Sequence, residues 1–442
     1  MNSPAFCADS PDPTASNLKT RFSSRFPFAE LGRPFWVFFT AALFLDFGFD
    51  LYFFLYNLFL LNLHYDERAI GMISSALTVG NLVGTIPVGM LARRFGVQKL
   101  LLVCFIAAPV ISIIRVQVPS MSGQVAFAFF TGVALSVWPV CFAPTVAKLT
   151  TDETRVFAFS ITFATGIGTG TLAGLAGGYI PALFHSANRL GSVTTGMRVV
   201  LIGAASVAML GAFPISRLKI TNPPNPDGRR FPFHPYLLRF LPAFAIWSLV
   251  TGSFIPFAPV FFQKQLGISL QHVGMIFSAS ELVQFCAVLL VPFLYQRMGA
   301  PVGIVIAQLV TGAAALVLGH AHSAQFAVAW YLVLAGAQFS AGPAFYGMLM
   351  SRMPESDRSG ASAMQNIAGA LSGAGASALT GVLIVRSGYG TVFALDAILA
   401  VVSAVLVLTC LARQTDVLNE KRSFSSSSPL SEEIHAGPLS TP

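Results

Sequence analysis

The chain has 442 residues, 55% of them hydrophobic and 10% charged, with a formal net charge of +8. A soluble domain carries roughly a quarter charged residues, so this composition excludes a soluble globular enzyme. With 40 Phe and a mean hydropathy of +0.71 it also excludes a disordered chain.

The apolar residues must therefore face lipid, or each other within lipid. No Asp, Glu, Lys or Arg occurs from Val116 to Ala147, Val156 to Asn188, Phe240 to Gln263, or Met298 to Ser351. A helix crossing the hydrocarbon core needs about 20 residues, so the first three intervals hold one span each. The fourth holds two, broken at Gly319-His320-Ala321-His322-Ser323. The whole chain then divides into twelve predicted spans: 34–61, 70–92, 98–117, 121–148, 156–184, 196–217, 237–264, 270–295, 300–320, 324–350, 360–386 and 390–412. Long continuous apolar runs indicate helices rather than barrel strands, which alternate over about 10 residues. The expected class is an all-α integral membrane protein.

Lys and Arg set the orientation, because cytoplasmic loops retain them. One side holds Lys19, Arg21, Arg25 and Arg33, then Arg93, Arg94 and Lys99, then Lys148 and Arg155. It also holds Arg217, Lys219, Arg229, Arg230 and Arg239, followed by Arg297, Arg352, Arg358, Arg413, Lys421 and Arg422. The other side has only Arg68, Arg115, Arg189, Arg198, Lys264 and Arg386. With an even number of spans, both termini are expected in the cytoplasm. The basic balance reads as topology in a plasma membrane, the inner membrane in a bacterium, with no nucleic acid partner needed. No signal peptide is evident in the first thirty residues, so the first span is expected to direct insertion. The segments outside the membrane are a cytoplasmic tail (1–33), a basic Pro-rich linker (218–236) and a Ser-rich tail (413–442) expected to be disordered. The five cysteines, Cys7, Cys104, Cys141, Cys286 and Cys410, show no paired spacing; those in the spans read as buried small residues.

The chain also repeats itself. Gly71-Met72-Ile73-Ser74-Ser75-Ala76 opens span two and Gly274-Met275-Ile276-Phe277-Ser278-Ala279 opens span eight, an offset of 203. The same offset relates Arg94 and Gly96 to Arg297 and Gly299, Arg155 to Arg358, and Gly170 and Gly178 to Gly373 and Gly381. Two six-span halves of like orientation, 34–217 and 237–412, follow, joined by the linker with Pro223, Pro224, Pro226, Pro232 and Pro235. That is the architecture of transporters that rock about a site between their halves.

At Gly89-Met90-Leu91-Ala92-Arg93-Arg94-Phe95-Gly96-Val97-Gln98-Lys99 the sequence resembles the major facilitator superfamily, and the resemblance extends over nearly the whole length outside the tails. Gly89, Arg94 and Gly96 match the family's loop between spans two and three. Arg93 stands where the family has Asp, and Val97 and Gln98 stand where it has basic residues. The resemblance implies twelve helices in two pseudo-symmetric halves and a cytoplasmic latch at this loop. Physically, Gly89 would permit close helix approach, Gly96 a tight turn, and Arg94 an ion pair. Acids precede Arg155 in Asp152-Glu153 and Arg358 in Glu355-Ser356-Asp357. They suit either helix capping or a cytoplasmic gate built from Arg93, Arg94, Glu153, Arg155, Arg297, Glu355 and Arg358. Glycines in spans five (Gly166, Gly168, Gly170, Gly174, Gly177, Gly178) and eleven (Gly369, Gly373, Gly375, Gly381) would let helices approach and slide.

Ionisable groups inside lipid are expensive and call for explanation. Asp46 and Asp50 lie one turn apart on span one, with Asp46 roughly 18 Å along the helix from Pro34; Glu281 lies roughly 16 Å into span eight from the opposite side. All three are near the midplane, and the resembled fold lines its cavity with spans one, four, seven and ten, flanked by two, five, eight and eleven. A carboxylate in an apolar cavity can bind and release a proton, so these three are candidates for proton coupling or for contact with a cationic part of a substrate. The alternative is helix packing through Asn81 or Gln284. Tyr56, Asn57, Asn81, Trp247, Gln284 and Gln338 are further cavity candidates, and Asp396 on span twelve reads as local and structural. Span four lacks the mid-helix Arg of many proton-coupled drug exporters, and span five lacks the Gly-Pro pair typical of the family's antiporters. No Walker A loop, catalytic triad or paired metal-ligand spacing occurs, so neither ATP coupling, an enzyme nor a resident cofactor or metal is indicated. The expectation is a secondary transporter of a small organic solute working by alternating access, with proton coupling as an option, and monomeric. The alternatives are an exporter of hydrophobic or cationic compounds, and a receptor or scaffold using a transporter-like fold.

Overall fold

A computed structural model describes residues 31–186, 192–219, 234–321, 323–354 and 357–412. Residues 1–30 of the N-terminal tail, 220–233 of the linker, Glu355 and the C-terminal tail from 413 lie outside them. Among the described residues eleven helices are long and apolar enough to cross a membrane. They are α1 (Arg33–Asn62), α2 (Glu67–Phe95), α3 (Val97–Gln117), α4 (Met121–Leu149), α5 (Asp152–Ser186), α6 (Val193–Arg217), α7 (Pro235–Gln265), α8 (Leu270–Met298), α9 (Ala300–Gly319), α10 (Ala324–Arg352) and a final 50-residue segment, Gly360–Thr409. That last segment is two helices. Gly388 breaks it with φ 78° and ψ 174°, and 50 residues at about 1.5 Å each exceed twice the ~30 Å hydrocarbon thickness. The two pieces are α11 (358–387) and α12 (389–406), which gives the twelve expected crossings.

Local sequence explains the ends and bends. Asp66 and Ser120 cap α2 and α4 by accepting from the Ala69 and Gly123 amides. Pro256 and Pro259 cannot donate to a helix ladder, and there α7 gives way to a 3-10 turn, Ile255–Phe257. Gly96 and Gly299 join α2 to α3 and α8 to α9 with φ 90° and 80°, a region an L side chain adopts only with strain. These two positions stand 203 apart, so the repeat recurs as backbone geometry. The expected tight turn is therefore present at Gly96. Close approach at Gly89 is not: a Cβ built there meets nothing within 4 Å.

The closest contacts between the halves also come in a repeated pair. Against α5, a Cβ on Gly274 of α8 would lie 2.9 Å from the Gly178 Cα and collide with the Gly174 carbonyl. Against α11, a Cβ on Gly71 of α2 would lie 3.3 Å from the Gly381 Cα and collide with the Ser377 carbonyl. Gly71 matches Gly274 and Gly178 matches Gly381 at the offset of 203, so the α2–α11 and α5–α8 seams are equivalent. Both lie toward the α1–α2 and α7–α8 connections, the face opposite the first residues of α1. On that same face Lys264 Nζ donates to both Glu67 carboxylate oxygens at 2.7 and 2.9 Å, and Asn57 donates to the Pro256 carbonyl at 2.8 Å. Nearer the other face, Gly168 and Gly375 have open space where a Cβ would stand, and Phe163 is 64% exposed. The halves are closed against one another on the face of the α1–α2 and α7–α8 connections, and the expected glycine packing holds in the Gly170–Gly178 stretch and fails at Gly168 and Gly375.

Aromatic side chains fill the interior. Phe35, Phe38, Tyr52, Tyr56 and Phe59 of α1 are buried in a core that runs into α3 and α6, while Phe240, Trp247 and Phe345 belong to a second core in the C-terminal half. Leu183, Leu238, Leu290 and Ile398 project outward, as suits a surface solvated by lipid. Cys104 and Cys141 are buried, as expected, but Cys286 is exposed, because it lies on an outward-facing part of α8.

Candidate functional site

The three intramembrane acids meet at one short stretch of α5. Thr169 donates to Asp50 at 3.1 Å. A Cβ on Gly166 would lie 3.9 Å from the Asp46 carboxylate, and one on Gly170 would lie 3.2 Å from the Glu281 carboxyl carbon. Asp46 and Asp50 come from α1 and Glu281 from α8, so the cluster joins the two halves. Gly170 leaves room for the Glu281 carboxylate that a Cβ would crowd, whereas a Cβ at Gly166 would make only ordinary contact with Asp46. Tyr331 of α10 lies in the Glu281 field beside Ser280. Among the described residues neither Asp46 nor Glu281 accepts a hydrogen bond, so Asn81 and Gln284 are not their partners.

A cavity of about 320 Å³ opens beside this cluster. Its polar wall is Asp50, Asn57, Ser74, Thr78, Arg115 and Ser377, and its apolar wall includes Phe53, Phe54 and Phe277. Phe54 and Phe277 meet across the halves with ring centroids 4.9 Å apart. Tyr56 and Asn57 both line this space. Trp247, Gln338, Asn81 and Gln284 do not. Trp247 is 3% exposed within the C-terminal core. Gln338 is turned to the Val250 carbonyl at 3.4 Å, a link between α10 and α7. Asp396 is buried and accepts from Ser253 at 2.6 Å, which ties α12 to α7 as a local structural pair.

Arg115 is the residue that charge counting missed. It was grouped with outer-loop cations because it stands near the end of a span, yet it is 3% exposed. The available signal was its setting, Ile113-Ile114-Arg115-Val116, a cation inside an apolar run. Its guanidinium carbon lies 3.9 Å from the centre of the Tyr56 ring. Tyr56 stacks on Tyr52 at 5.0 Å and donates its hydroxyl to Gln124. Gln124 in turn donates to the Arg115 and Val118 carbonyls at 3.0 and 2.6 Å. Tyr56, Gln124 and Arg115 thus form one interlocked buried group.

Of the expected gate, Arg94 is exposed with its guanidinium 5.3 Å from the Phe95 ring, and Arg297 is exposed. Arg358 donates to the Met353 carbonyl at 3.2 Å, fastening the start of α11 to the end of α10. Arg93, Glu153 and Arg155 lie on helices whose side chains there fall outside the described residues, as does Glu355 altogether. At the α11 start Asp357 makes no side-chain cap bond.

Twelve helices in two repeated halves about a central cavity define a secondary-transporter fold. The sequence model of the Major Facilitator Superfamily matches residues 38–376 and 240–438, and the chain belongs to that superfamily. No curated protein sequence matches significantly. Among solved structures, the nucleoside transporter NupG superposes with a TM-score of 0.70 at 13% identity, covering 86% of this chain and 99% of that one. The D-xylose-proton symporter gives 0.69 at 14% over 85% and 97%. A bacterial homologue of the human lysosomal transporter Spinster, in an inward-facing occupied conformation, gives 0.69 at 14% over 88% and 97%. The chain is accordingly a multi-pass membrane transporter with a small-molecule substrate, and not an enzyme.

Proposed function

We propose that this transporter carries a small organic solute by alternating access and couples its movement to protons through Asp46, Asp50 and Glu281. The observation that carries the reading is the convergence of the three carboxylates on Gly166, Thr169 and Gly170 of α5. Three acids from opposite halves share one low-dielectric region, where adjacent negative charges repel strongly. A proton bound there relieves that repulsion, so its occupancy depends on how the halves are placed. The solute sits in the adjoining cavity, which Asp50 also lines, so the two occupancies are linked. The working unit is a monomer in the plasma membrane with both termini cytoplasmic, and the closed face is then the outer one.

The test is flux in proteoliposomes with and without a proton gradient, on a solute first found by a thermal-shift screen. Asp50→Asn mimics the protonated group and is expected to sustain solute exchange while losing acceleration by the gradient. Asp46→Asn and Glu281→Gln are expected to shift the pH profile. A profile unchanged in all three variants would remove the coupling role.

A further inference from the structure

We propose that Arg115 is an oxyanion anchor, and that the solute carries a carboxylate or phosphate group on a small apolar body. This deepens the transport reading above and rests on it only in taking the cavity to be the solute site. The Arg115 side chain is a guanidinium cation with five donors and no acceptor. A buried charge costs several kcal/mol unless paired and hydrogen-bonded. Yet among the described residues no carboxylate forms an ion pair with it, and its Nε has no hydrogen-bond partner. What surrounds it instead holds it in place. Gln124 fixes its backbone carbonyl, the Tyr56 ring lies against the guanidinium, and the Tyr56 hydroxyl is itself committed to Gln124. Such a cation is held in place in advance at the wall of the cavity it lines, with a donor still unpaired. A planar guanidinium is suited to a carboxylate or phosphate, which it can grip with two parallel hydrogen bonds.

The rest of the wall narrows the class. Ser74, Thr78 and Ser377 offer hydroxyls, while Phe53, Phe54, Ile255, Pro259 and Phe277 suit an apolar or aromatic body. About 320 Å³ lies at the low end of the ~300–1,000 Å³ of small-molecule sites. Asp50 lines the same cavity but its hydrogen-bond partner is Thr169, which keeps the acid with the cluster at α5 and leaves Arg115 to the solute.

The experiment is calorimetric binding to the full purified chain in detergent, with four probes of matched size: phenylacetate, phenyl phosphate, 2-phenylethanol and 2-phenylethylamine. Binding needs no flux, so its outcome is independent of the proton-coupling test. At least one of the two anions is expected to bind about tenfold or more tightly than the alcohol and the amine, a difference of ~1.4 kcal/mol. Whichever anion binds identifies the carboxylate or the phosphate as the better fit. Arg115→Gln is expected to abolish that preference, and Arg115→Lys to retain part of it. Thr78→Asp leaves Arg115 in place and introduces a carboxylate on the cavity wall. It too is expected to remove the preference, which covers the case in which Arg115→Gln fails to fold. Equal binding of the alcohol and the anions, a preference for the amine, or an anion preference that survives both Arg115→Gln and Thr78→Asp would overturn the assignment.

Discussion

The α5–α8 seam can be strained by a single methyl group. In Gly274→Ala the new carbon would lie 2.9 Å from the Gly178 Cα and 3.1 Å from its amide nitrogen, and would collide with the Gly174 carbonyl. All three are backbone atoms, so no side chain can swing aside and the helices must separate. Overpacking of this kind costs about 1–3 kcal/mol. The strain applies to the arrangement in which this face is closed and is relieved when it opens. Taking about 2 kcal/mol, the ratio of closed to open shifts roughly 30-fold. Spin labels at Arg68 and Gln265, placed in a background with the five cysteines replaced, would report the distance between the halves on this face by pulsed electron resonance. Gly274→Ala should populate a longer distance, and Gly71→Ala, its counterpart on α2, should do the same. Gly89→Ala, where a Cβ meets nothing, should match the parent. Unchanged distance distributions in both seam variants would refute the claim that these glycines hold the face shut.

Four further outcomes follow from the same geometry. Lys264→Gln should open the face more than Glu67→Gln, because it strands a carboxylate that is 4% exposed whereas the reverse change leaves a Lys that is 49% exposed; the label distances above decide it, and the double variant should fall closer to the parent than Lys264→Gln does. Gly96→Ala and Gly299→Ala should each lower the thermal midpoint in detergent, by an amount matching roughly 1–3 kcal/mol of backbone strain at positive φ and extended ψ, with Gly89→Ala as the neutral comparison. Tyr56→Phe should lower stability by about 1 kcal/mol through the hydrogen bond lost to Gln124, measurable in the same melts. The same change should also weaken binding of the anionic probe through the loosened Arg115, while leaving the gradient response of flux in place.

Much of the fold was legible because lipid simplifies the code. A chain that must satisfy its backbone within each span betrays its helices by charge-free length, and the offset of 203 reappears in the Gly96 and Gly299 dihedrals. Asp46, Asp50 and Glu281 were legible as costly residues. Their common meeting point on α5 was not, since it depends on how α1 and α8 turn about their own axes. The place of Trp247 and Gln338, away from this cavity, was not legible for the related reason that depth in a span does not reveal which face meets it. Arg115 was misread because a count of basic residues by loop assigns every cation near a helix end to water. Side-chain rotation decided the reverse, bringing the guanidinium back against Tyr56.

The joint at Gly388 differs from the rest of the molecule in what it transmits. α11 passes into α12 through a single left-handed residue, with no slack between them. A tilt of α11 at its seam with α2 must therefore be handed on as torque to α12, whose Asp396 grips Ser253 on α7. The second half thus works as a stiff crank, so a side chain added at Gly388 would loosen motion far from where it sits.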